Sequence, residues 1–117
     1  MTQATPTLPQ PVTLSDYFKI DPERFHRTMV VRQPGLQVLH LSLAPGQSLP
    51  LHNHPGYHVV LQALQGTLTV QLEDHESTLE PGQLLHFAGE LHVSPRNNQP
   101  TPAAMLITLA KNPDSQP

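Results

Sequence analysis

Three of the eight histidines fall within seven residues, inside the stretch Gly46-Gln-Ser-Leu-Pro-Leu-His52-Asn-His54-Pro-Gly-Tyr-His58-Val-Val-Leu-Gln-Ala-Leu-Gln-Gly66. His52 and His54 are two apart, so on extended backbone their side chains point to the same side. Two imidazoles a few ångströms apart on one face can grip one metal ion. A turn-forming Pro45-Gly46 precedes the pair and Gly66 closes the stretch.

The elements that must position this pair are strands. Phe25 to Arg32, with Met29-Val-Val31 as its apolar part, and Leu36 to Ala44 are separated by Pro34-Gly35. His58 to Leu64 is apolar and β-branched enough for a strand. Thr67 to Glu73 alternates apolar and polar residues throughout, as a half-buried strand does. Asp74 to Ser77 reads as a polar hairpin turn, followed by short strands at 77–80, 84–87 and 91–94. Met105, Ile107 and Leu109 make a last alternating strand. Before Phe25 a helical turn around Thr13 to Phe18, with Thr13 or Ser15 as cap, and a second turn at Asp21 to Arg24 are predicted. Many short strands between Pro-Gly or polar turns predict an all-β sandwich or small barrel.

Length and composition narrow the classes. At 117 residues the chain is one domain, able to bury roughly two-thirds of its unfolded surface. Only 13% of residues are charged and the net charge is −3, which gives no reason to expect nucleic acid or an anionic membrane as partner. There is no Cys, hence no thiolate ligand or cysteine nucleophile. No apolar run approaches the ~18 residues of a membrane span. Met1 to Val12 lacks a basic region followed by an apolar one, so a cytoplasmic location is expected. Of the 14 prolines, three lie in residues 6–11 and five in 95–117, which predicts flexible tails at 1–13 and 112–117 around a folded unit at 14–111.

The chain resembles a small single-domain cupin, a double-stranded β-helix or jelly roll. That family's first motif runs Gly, five residues, His-x-His, three or four residues, Glu, six residues, Gly. Gly46 and His52-Asn53-His54 match it directly, and Gly66 can serve as the closing Gly. The second motif is similar to Glu80-Pro81-Gly82-Gln83 with Ala88-Gly89-Glu90-Leu91-His92, its usual Pro missing. The resemblance covers roughly residues 36–110. It implies the jelly-roll fold and one divalent transition metal ion in the barrel mouth, held by His52, His54 and His92. The family's Glu has no counterpart. A three-residue spacer places His58 there, with one residue too many before Gly66; a four-residue spacer places Val59 there. On a regular strand Val59, Leu61 and Ala63 form the uniformly apolar face, which turns His58 outward. A β-bulge between His58 and Gly66 would return it to the interior. Because His58 falls at a spacing the family allows, the resemblance implies the set His52, His54, His58 and His92, with a three-imidazole site of His52, His54 and His92 as the alternative on a regular strand.

Three or four neutral imidazoles suit Mn, Fe, Zn, Ni or Cu over Ca or Mg. With no carboxylate, the metal's charge would favour an anionic or enolisable small molecule. Tyr57, Gln62, His86 and Glu90 are candidate supporting groups. His40 and His86 are expected to be ordinary half-buried histidines, and His26 and His75 solvated. Arg24, Arg27 and Arg32 are expected as surface or interface charges. Two classes of function follow from the resemblance: a metal-dependent, dioxygenase-like oxidoreductase, or a binding or sensing module for a small molecule. Homodimerisation is expected, with the arm from Phe25 to Arg32 adding a strand to a partner sheet.

Overall fold

The computed structural model describes residues 8–113; the outer parts of the two expected tails lie outside them. One turn of 3-10 helix, Leu14–Tyr17, precedes eight strands: β1 (His26–Gln33), β2 (Leu36–Leu43), β3 (Tyr57–Gln65), β4 (Leu68–Leu72), β5 (His75–Leu79), β6 (Leu84–Ala88), β7 (Val93–Arg96) and β8 (Ala103–Lys111). They form a five-stranded sheet of order β1-β2-β8-β3-β6 and a three-stranded sheet of order β5-β4-β7. All pairings are antiparallel. The protein is all-β, as the alternating segments and Pro-Gly turns predict, and a jelly-roll barrel, as the resemblance implies.

The core lies between the two sheets because the apolar sets of period two all turn that way. Leu39, Leu41 and Leu43 of β2 face inward with Val59, Leu61 and Ala63 of β3, Leu68 and Val70 of β4, and Met105, Ile107 and Leu109 of β8. Gly66 closes β3 at φ +72, where an added Cβ would press on Pro102 O and Ala103. A side chain there would be strained both by conformation and by contact.

Three local expectations shift. The β4–β5 turn is tighter than expected: only Glu73 and Asp74 lie between Leu72 and its partner His75, with Glu73 at φ +54. β7 begins at Val93 rather than Leu91, because the Leu91 N–H still closes a turn onto the Ala88 carbonyl at 3.1 Å. At the 3-10 turn, Thr13 holds the N-cap position without a side-chain capping bond; its carbonyl accepts from the Asp16 N–H at 3.0 Å.

Two features shape the large sheet. β1 and β2 pair in register until Met29↔Leu39, then resume at Val31↔Val38, so a bulge at Val30 reverses the facing of the residues after it. On the outer face, the N-terminal segment covers β2. The Lys19 N–H donates to Ser42 Oγ at 3.1 Å, and the Tyr17 ring lies 5.9 Å from that of His40. Both His40 and Ser42 are buried as a result. The arm from Phe25 to Arg32 is thus largely β1, paired with its own chain's β2, and among the described residues no strand neighbours its other edge.

Candidate functional site

The segment from Ser48 to His52 runs beside β7. Ser48 and His52 bridge to Arg96 and Val93, and the Leu49 N–H donates to the Pro95 carbonyl at 2.9 Å. His52 and Val93 exchange both backbone hydrogen bonds, at 3.1 and 2.8 Å. Opposed residues in an antiparallel pair share a face, so His52 shares the inward face of Val93, which is buried in the core. His54 lies two residues on and joins it. The rings are T-shaped, with centroids 4.8 Å apart.

Backbone contacts hold the loop that carries His54. Its N–H donates to the Gly89 carbonyl at 2.7 Å, and the Gly89 N–H donates to the Tyr57 carbonyl at 2.7 Å. A Cβ on Gly89 would overlap the carbonyl oxygens of His54 and Tyr57, so only glycine permits this approach. Glu90 Oε2 also accepts from the Gly56 N–H at 2.9 Å.

Both imidazoles present lone pairs. His52 Nδ1 lies 2.6 Å from the Pro50 carbonyl. A carbonyl oxygen only accepts, so Nδ1 carries the proton and Nε2 has the lone pair. Burial, and secondarily the neighbouring His52, hold the His54 pKa below the ordinary imidazole value.

The pair faces a cavity of about 420 Å³. Its floor is Leu39 and Leu41 of β2 and Ile107 and Leu109 of β8; its rim carries Arg27 and Arg32 of β1. Among the described residues no carboxylate lines it. Sequence reasoning places Arg27 and Arg32 among surface or interface charges and misses their place at the cavity. Arg27 was legible in principle, since Phe25, Arg27 and Met29 alternate and two of the three are apolar. Arg32 was not, because the bulge at Val30 is what turns it onto the face of Leu39, opposite Gln37.

The four expected ligands are not brought together. β3 stays in regular register with β6 from His58 to Gln62, and its shift against β8 falls between Ala63 and Gln65. The shift therefore comes too late to turn His58. His58 faces away from the core, with Nδ1 3.1 Å from His86 Nε2, while Val59 takes the inward position and is buried. His92 is exposed on the side opposite Val93. Its N–H donates to Glu73 Oε2 at 2.6 Å, and its Nδ1 lies 3.2 Å from the same oxygen. Those contacts hold the Glu73 pKa below the usual carboxylate value. Among the described residues no three His, Asp or Glu side chains converge on a point that would hold a metal. Of the supporting groups, Tyr57 joins the His54 turn through its backbone, whereas Gln62 and His86 share the outer face with His58.

Two antiparallel sheets closed over a core, with an open histidine-lined cavity on one side, define a double-stranded β-helix barrel. The chain belongs to the cupin domain family, whose model matches residues 39–109. It is 38% identical over 82 residues to germin-like protein 1 of Brassica napus, covering 65% of this chain and 39% of that protein. The chain therefore spans about two-fifths of the length of that curated relative. Among solved structures it is similar to the TT1209 protein of Thermus thermophilus, at TM-score 0.80 and 28% identity, covering 88% of this chain and 98% of that one. A double-stranded β-helix protein of Klebsiella pneumoniae superposes at TM-score 0.82 with 15% identity over 93% of this chain and 95% of its own, a likeness of fold alone. No helix among the described residues is long and apolar enough to cross a membrane.

Proposed function

We propose that this chain is a small-molecule-binding cupin whose ligand enters the cavity and places a polar group against His52 and His54. The observation that carries this reading is the facing of the His-x-His pair onto an open, largely apolar cavity of about 420 Å³. That volume lies in the usual range of ligand sites, roughly 300–1,000 Å³, as does a mostly apolar lining with a few convergent polar groups. The imidazole lone pairs accept from a ligand hydroxyl or amide, and the apolar floor shields its body from water.

A divalent transition metal has a smaller place in this reading than the four-imidazole set implies. That set does not fit: His58 and His92 lie on outward faces, and Val59 holds the inward position that the family's carboxylate would take. Among the described residues only His52 and His54 would ligate an ion at the cavity, and two imidazoles make an incomplete shell for the four-coordinate sites such ions prefer. The binding reading is therefore favoured over a metal-dependent oxidoreductase.

The test is calorimetric titration with 2-naphthol, an uncharged aromatic of fitting size with one hydroxyl. Saturable binding is expected, weakened about ten-fold in the His52→Ala/His54→Ala double variant, on the scale of the one hydrogen bond the hydroxyl can donate. Absence of saturable binding, or full affinity in the double variant, would sink the reading.

A further inference from the structure

Charge is segregated around the cavity. The chain has nine acidic residues and six Lys or Arg. Two of the six, Arg27 and Arg32, line the cavity, and none of the eight acidic residues among the described ones does. Among the described residues neither arginine makes an ion pair; the three pairs present involve His75, His92 and Arg96. The two guanidiniums project from one strand face because of the bulge at Val30, without which Arg32 would turn to the opposite side. A carboxylate that met them would find uncompensated positive charge and planar, bidentate donors. The leucine and isoleucine floor beside them has nothing to offer a second charge.

We infer that the cavity selects a small organic acid, its carboxylate held by Arg27 and Arg32 and its apolar body lying on Leu39, Leu41, Ile107 and Leu109. The inference rests on the binding reading above and adds the charge and shape of the ligand. His52 and His54 meet any further polar group at the other wall. Both arginines are exposed at the rim, so they attract the anion from solution and the attraction weakens with salt.

Calorimetric titration of 2-naphthoate against 2-naphthamide tests this, since the two differ chiefly in charge. The acid is expected to bind about ten-fold tighter than the amide at low salt. The gap should close in the Arg27→Gln/Arg32→Gln double variant and persist in Arg24→Gln, which changes an arginine outside the cavity. Amide affinity should be the same in all three proteins, which shows that the variants remain folded. Equal binding of acid and amide to the wild type overturns this inference and leaves the binding reading standing, as does an acid preference that survives in the double variant. Failure of the acid, the amide and 2-naphthol alike overturns both.

Discussion

The Nδ1 of His58 lies 3.1 Å from the Nε2 of His86, on the face of the large sheet turned away from the cavity. At that spacing one nitrogen donates and the other accepts. In long-range proton–nitrogen spectra of the imidazoles, His58→Ala should therefore move the His86 ring signals and leave those of His52 and His54 in place. The hydrogen bond is exposed, so the loss of stability should stay below about 1 kcal/mol. Movement of the His52 or His54 signals would return His58 to the cavity.

Stability should fall with pH through His40. Burial, and secondarily His26, hold its pKa below the ordinary 6.5. Among the described residues, His26 acts on it electrostatically and the Tyr17 ring lies 5.9 Å from its own. The unfolded chain thus takes up the proton first, and folding loses stability as pH drops. The contribution is complete above about 6.5 and is lost as pH falls from there through the lower folded value. Melting temperatures between pH 7.5 and 5 should decline more steeply for the wild type than for His40→Gln. Parallel curves would show that His40 is not the group responsible.

Gly89→Ala should damage the His54 loop. The new methyl would overlap the His54 and Tyr57 carbonyls, and those backbone atoms cannot move without breaking the bonds that anchor His54. Strain of this kind costs typically 1–3 kcal/mol. Urea denaturation should show a loss of that order, with 2-naphthol binding weakened as well. Unchanged stability would mean that the loop adjusts freely.

Among the described residues no strand pairs with the outer edge of β1, and such an edge invites a partner strand. We expect a homodimer, joined through this edge, with a mass about twice the 12.9 kDa of the chain. Sedimentation equilibrium at micromolar concentration would give the monomer mass if β1 ends the sheet in solution.

Much of this molecule follows from local pattern. The apolar alternation of Leu39 to Leu43, Leu68 to Leu72 and Met105 to Leu109, cut by Pro-Gly turns, settles strands, facing and the all-β class, because period two leaves one way to bury each segment. The His-x-His spacing likewise puts His52 and His54 on one face. The same alternation, read along Val59, Leu61 and Ala63, already turns His58 outward, and the bulge that would have rescued it lies past Ala63. Tertiary structure decided the rest. His92 is drawn outward by Glu73, a residue 19 positions away whose place is set by a hairpin. Arg32 enters the cavity because one unpaired residue at Val30 reverses the strand. A bulge moves every later side chain to the other face, yet it arises from how two strands meet, and no spacing within either strand records it.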